Sequence, residues 1–415
     1  MDRRNFLRSA AVVAASSVAA VPALAQTNVP DPPGTMPPGR DWNDPSTAIY
    51  PDPAFEVFDP RFAKYSGGTA GLVRVWTGGV WTEGPVWFGD QQLLIFSDIP
   101  NDRLMAYNAA SGRTHVFRQP SNFTNGNTRD RQGRLVSCEQ GTRRVTRTEY
   151  DGSITTLADK FNGKPLNSPN GVIVKSDDTV WFTDPSYGIG GDHEGNRGEA
   201  ELPRNVYRLD PKTGKMDVVV GDFSMPNGLC FSPDEKKFYV TDTGALGGPF
   251  KQTIIRVYDV SDDGKLSNGR LLHDFKDVPQ PYIADDIRAD EDGNIWAAGG
   301  WSPNHAMNGV RVFAPDGTPL GAIVVPEVAA NLCFGGHHHN RLFICASTSV
   351  YAMDVGTRGV ELKGKPMSDR DPRLARGKRR GGATAPSPPS PARIRASCCR
   401  WRRRGCSWRR TCRPS

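Results

Sequence analysis

The chain has 415 residues, 37% of them hydrophobic, and a formal net charge of +7. That charge is unevenly held: residues 361–415 carry +14 and residues 1–26 carry +2, which leaves −9 on residues 27–360. A basic, nucleic-acid-binding body is thereby excluded, and beyond the N-terminal segment no run approaches the ~18 apolar residues of a membrane span.

Residues 1–26 place Arg3-Arg4 ahead of Phe6-Leu7, then an Ala/Val stretch, then Ala23-Leu24-Ala25 before Gln26. This is the pattern of a twin-arginine signal peptide with an A-x-A cleavage site. It predicts passage through the twin-arginine export machinery, a periplasmic destination and no stable membrane insertion. Residues 27–70 are rich in Pro, Asp and Gly and read as an extended leader with little regular structure.

From residue 71 to 360 one pattern recurs six times: an oxygen-bearing side chain, an alternating run, a polar turn and a second alternating run. The copies include TEGPVWFGDQQLLIFSD from Thr82, NGVIVKSDDTVWFTD from Asn170 and NGLCFSPDEKKFYVTD from Asn227. Their leading residues are Glu83, Asn127, Asn170, Asn227, Asp285 and Asn331, spaced 44, 43, 57, 58 and 46 residues apart. Such spacing is that of propeller blades, and period-2 alternation without a sustained 3.6-residue period predicts an all-β, six-bladed β-propeller. Val172–Val174 and Val180–Phe182 flank a turn containing Asp177-Asp178, a hairpin signal repeated around Pro233-Asp234. The Gly-rich connection after Asp184, which contains His193, has the composition of a lid.

Cys138, Cys230, Cys333 and Cys345 lie in alternating runs, form no C-x-x-C pair and read as small buried hydrophobes. Residues 361–415 have no hydrophobic periodicity and no acid after Asp371. They read as a disordered basic tail, the product of a frameshifted reading of GC-rich DNA rather than a nucleic-acid arm.

In a propeller the first strand of each blade lines the central channel. Six oxygen donors at the starts of those strands converge on one axis, where a buried carboxylate needs a partner. Asp, Glu and Asn without His or Cys in register suit Ca²⁺, or Mg²⁺, better than Zn²⁺. Glu83 and Asp285 supply the two charges that a divalent ion needs. His337-His338-His339 occupies a hairpin turn of the sixth repeat and reads as exposed.

The strings EGPVW, SPNGVIVKSDDTVWFTDPSYG, PNGLCFSPDEKKFYVTDT and DDIRADEDGNIW resemble the senescence marker protein, gluconolactonase and luciferin-regenerating family. NGNTRDRQGRLVSCEQGTRRVTR is similar to its bacterial gluconolactonase branch, and the resemblance runs from about Val57 to Val360. It implies a six-bladed propeller holding one divalent cation and hydrolysing sugar lactones. By motif, it implies metal-binding roles for Glu83, Asn227 and Asp285, with Asn170 close to both metal and substrate. Two departures stand out: Asn170 is followed by Gly171 where the family has Asp, and Asp285 by Asp286 where it has Gly. Ser168 stands where the structurally best-known member has Arg.

The chemistry expected is metal-assisted attack of water on the lactone carbonyl, with Asp285 as the base and Asp286 as its alternative. The expected metal ligands are Glu83, Asn170, Asn227 and Asp285, and the expected substrate contacts Asn127, Asn170, Asn331 and His305. Calcium is the expected ion, with Mg²⁺, Mn²⁺ and Zn²⁺ as alternatives. Two other functions fit the same residues: a metal-dependent esterase or phosphotriesterase, and a ligand-binding propeller without turnover.

Overall fold

A computed structural model describes residues 40–360, apart from 43, 247, 249–251, 278–281 and 302–306. The signal-peptide segment, most of the leader, the basic tail and His305 lie outside the described residues. Among those described there is no α-helix, only short 3₁₀ turns, the longest being Pro60–Tyr65. No helix there is long and apolar enough to cross a membrane.

Six antiparallel sheets make a six-bladed β-propeller, and the inner strands touch one another in ring order. Those inner strands are Thr82–Phe88, Thr124–Arg129, Val172–Val174, Pro226–Phe231, Ile283–Ala289 and Ala329–Gly335, in blades 1 to 6. Aspartates shape the inner hairpins. In blade 2, Asp130 Oδ1 accepts from Gln132 N (3.0 Å) and Arg134 N (2.9 Å) while Gly133 takes φ +83°. Large aromatics fill the spaces between blades. Trp181 of blade 3 meets Phe231 of blade 4 edge-on at 5.1 Å, and Trp296 of blade 5 meets Phe334 of blade 6 at 5.5 Å.

Blade 6 takes its outermost strand from the start of the domain. Val73–Thr77 pairs with Ser349–Asp354, so the two ends of the ring are hydrogen-bonded into one sheet, which closes the propeller.

The leader also contributes. Phe55–Val57 pairs with Pro319–Val324 as a fifth strand on blade 5, and buried Phe62 stacks on Phe55 at 4.6 Å and packs 5.8 Å from Trp296. Regular structure thus begins before residue 71. Three residues are too short a run for alternation to signal a strand, and the Pro and Asp around them signal a loop.

This added strand carries a half-buried carboxyl. Burial pushes the Glu56 carboxyl up to about 7 against an ordinary 4.5, with Arg311 opposing the shift. A carboxyl raised in the folded state contributes stability that is complete below pH 4.5 and is lost as pH rises through about 7. Glu56→Gln should therefore flatten the fall in Tm between about pH 5 and pH 8. Thermal melts at both pH values check this, and an unchanged slope in the variant would count against it.

Candidate active site

In four successive blades the inner strand opens on an X-Gly step: Glu83-Gly84, Asn125-Gly126, Asn170-Gly171 and Asn227-Gly228. Each glycine lies against the carbonyl of the next blade's X residue. A Cβ at Gly84 would stand 2.1 Å from Asn125 O, one at Gly126 2.2 Å from Asn170 O, and one at Gly171 2.8 Å from Asn227 O. One at Gly228 would stand 2.6 Å from Asp285 O. No side chain fits in these gaps, so the backbones close into a tight ring at one end of the channel. Blade 6 adds Asn331, whose amide reaches across to Glu83 and Asp286.

The sequence reading put Asn127 in this ring, and the structure puts Asn125 there instead. Asn127 Nδ2 donates to Gly84 O (3.0 Å), Ser97 Oγ (2.9 Å) and Asn125 O (3.1 Å), and its Oδ1 accepts from Ser137 Oγ (2.7 Å). Its amide is fully engaged as a brace between blades 1 and 2. The register slips between Thr124 and Asn127, so alternation counted back from the strand lands two residues late. The Asn-Gly step at 125–126, repeated at 170–171 and 227–228, is the signal that marks the ring position.

Two carboxylates face each other across this ring. Glu83 Oε2 accepts from Gly84 N (2.9 Å) and Asn331 Nδ2 (2.7 Å). Asp285 Oδ1 accepts from Asn227 Nδ2 (2.5 Å), and its carbonyl accepts from Thr241 Oγ1 (2.8 Å). Their other oxygens, Glu83 Oε1 and Asp285 Oδ2, accept no hydrogen bond among the described residues, and neither does Asn227 Oδ1. The buried amide of Asn170 also has no side-chain partner there. Burial pushes the Glu83 carboxyl up, and Asp286 adds to the shift. Burial pushes Asp285 well above the usual carboxylate range, with the charges of Glu83 and then Asp286 adding.

Asp286 differs from Asp285 in having its oxygens met. Its Oδ1 accepts from Ile287 N and Arg288 Nη1 (both 2.6 Å), and its Oδ2 from Asn331 Nδ2 (2.6 Å). Of the two neighbouring acids, Asp285 is the one with an open oxygen.

A divalent cation fits this arrangement. Two buried carboxylates repel each other, and four oxygens, Asn125 Oδ1 among them, and the Asn170 amide have unmet capacity. No cluster of three or more His, Cys, Asp or Glu suited to a metal occurs among the described residues. A set of two carboxylates and two amides is hard-oxygen chemistry, suited to calcium or magnesium rather than zinc.

The Gly-rich connection after Asp184 is anchored beside the ring. Gly188 N donates to Ser168 Oγ (3.1 Å), Asn196 Nδ2 to Gly141 O (2.9 Å), and Tyr187 OH is bonded to Thr243 Oγ1. Ser168 thus serves as a loop anchor. The same connection carries Glu194, whose carboxyl burial holds up and whose charge is felt at Asp285 and Glu83. Sequence reasoning singled out the exposed His193 and missed its neighbour, because nothing in a Gly-rich insertion signals which side chain turns inward. His339 sits in its hairpin turn at 3.2 Å from Gly359 O, apart from the ring.

At a deeper level of the channel is a cavity of 370 Å³, lined by Asn127, Val172, Cys230, Phe231, Arg288 and Cys333 among others.

The family model described as the SMP-30/gluconolactonase/LRE-like region matches residues 81–348. A gluconolactonase of Zymomonas mobilis is 30% identical over 299 residues, covering 67% of this chain and 80% of that protein. The pentonolactonase XacC of Haloferax volcanii is 29% identical over 269 residues, covering 63% and 80% respectively. Among solved structures, a gluconolactonase from Xanthomonas campestris aligns with a TM-score of 0.65 at 33% identity, covering 72% of this chain and 94% of its own.

Proposed function

The chain belongs to the SMP-30/gluconolactonase/LRE-like family, and from that premise we propose that it is a hydrolase that opens sugar lactones at the channel ring. The observation that carries this reading is the pair of buried carboxylates, Glu83 and Asp285, each with one oxygen unmet, set among Asn170 and Asn227. The relatives named as gluconolactonase and pentonolactonase support the substrate class.

In this reading Glu83, Asn170, Asn227 and Asp285 hold one divalent cation, calcium by the chemistry of the donors. The ion would supply Lewis-acid polarisation of the ester carbonyl. The remaining work belongs to side chains. Asp285 Oδ2 takes a proton from the attacking water, and Asn227 Nδ2, bonded to Oδ1, fixes the carboxylate plane. That proton is then returned to the ring oxygen as the acyl C–O bond breaks, which leaves the open hydroxy acid. Asn331 Nδ2 steadies Glu83, and in this reading Asn170 also orients substrate.

The unit that carries this activity runs from the added strand Phe55–Val57 to residue 360, with the twin-arginine signal peptide directing it to the periplasm. A panel of sugar lactones, aryl esters and phosphotriesters at equal concentration tests the substrate class. Turnover of the lactones is expected, and turnover confined to aryl esters or phosphotriesters would overturn the reading.

A further inference from the structure

Asp286 is an anomaly of charge. It is a third carboxylate at a site where two already repel each other, and 4% of its side chain is exposed. Room for it comes from blade 4, where a Cβ on Gly228 would lie 2.4 Å from Asp286 Cα. Its compensation comes from within its own strand. Arg288 Nη1 meets Asp286 Oδ1 at 2.6 Å, also donates to Ile287 O at 2.7 Å, and Nη2 donates to Asn331 Oδ1 at 3.3 Å. The guanidinium is therefore held on the deep side of the ring, between the carboxylates and the 370 Å³ cavity that it helps line.

We propose that Arg288 sets the charge of the channel site: by neutralising Asp286 it keeps that carboxylate out of the ligand set and leaves the two charges of Glu83 and Asp285 for a divalent ion. Arg288 and Asp286 are positioning residues that touch neither substrate nor cation. This rests on the metal reading given above. Three donors already occupy the oxygens of Asp286, whereas Asp285 keeps Oδ2 open, so the geometry sorts the two acids into one counter-charged and one ligating.

Calcium and terbium affinities of the full-length protein, measured by calorimetry on Asp286→Asn, Arg288→Gln and the double variant, test this without recourse to activity. Asp286→Asn leaves an unpaired guanidinium beside the site and should weaken calcium binding on the order of 100-fold. Arg288→Gln exposes a third negative charge and should raise the terbium-to-calcium affinity ratio roughly tenfold or more. The double variant, neutral at both positions, should return both quantities to within about threefold of wild type. Should the single Asp286 variant fail to fold, the Arg288→Gln ratio and the double variant still decide. A double variant with clearly weakened calcium binding would make Asp286 a ligand and overturn the proposal, as would an unchanged ratio in Arg288→Gln. Absence of calcium binding by the wild type would remove the metal reading itself and this inference with it.

Discussion

Asp285→Asn should lower kcat/KM for lactone hydrolysis on the order of 1000-fold while leaving the fold intact. The substitution is isosteric and keeps an oxygen to accept from Asn227 Nδ2, so the ring geometry persists. What it removes is the negative charge at Oδ2, and with it both a cation ligand and the proton acceptor. The unliganded protein should also melt higher than wild type, because burial and Glu83 both oppose the charged form of Asp285. Calcium should then raise the Tm of the wild type and not of the variant. Rate loss, higher unliganded Tm and absent calcium response together distinguish a lost ligand from a damaged fold. A variant that melted lower and hydrolysed normally would place the chemistry elsewhere.

Gly84→Ala should destabilise the domain by roughly 3 kcal/mol or more. Two independent strains add. Gly84 has φ +51°, which an L side chain adopts at a cost, and its Cβ would stand 2.1 Å from Asn125 O, a backbone atom that cannot swing away. Gly112 is the control, with φ +68° and nothing within 4 Å of its Cβ position. Gly112→Ala meets only the conformational cost, about 1 kcal/mol. Urea unfolding of both variants isolates the inter-blade contact as the difference between them. Equal losses would mean that the ring is not closed at Gly84.

Much of this architecture was legible because propeller blades write themselves into sequence. The Asp-rich turns, the alternating runs flanking them and the spacing of Glu83, Asn170, Asn227 and Asp285 are all local signals. What escaped depends on relations between blades. Asn125 occupies the ring and Asn127 the layer beneath because the strand register slips between Thr124 and Asn127, which alternation alone does not show. The sorting of Asp285 from Asp286 turns on where Arg288 points, and that needs the fold. Phe55–Val57 falls in the segment read as leader and Val73–Thr77 precedes the first repeat, yet they complete blades 5 and 6 by pairing with strands more than 250 residues further along the chain. Glu194, whose charge is felt at Asp285, comes from an insertion that has no periodicity to read.

We read the channel ring as a metal-dependent lactone-opening site. Proton release from D-glucono-δ-lactone by the full-length protein, before and after chelation and again after calcium is restored, tests it most directly. Hydrolysis above the spontaneous rate is expected, lost on chelation and recovered with calcium, with Asp285→Asn inactive throughout. Hydrolysis that continued at full rate in protein shown by elemental analysis to be free of metal would contradict it.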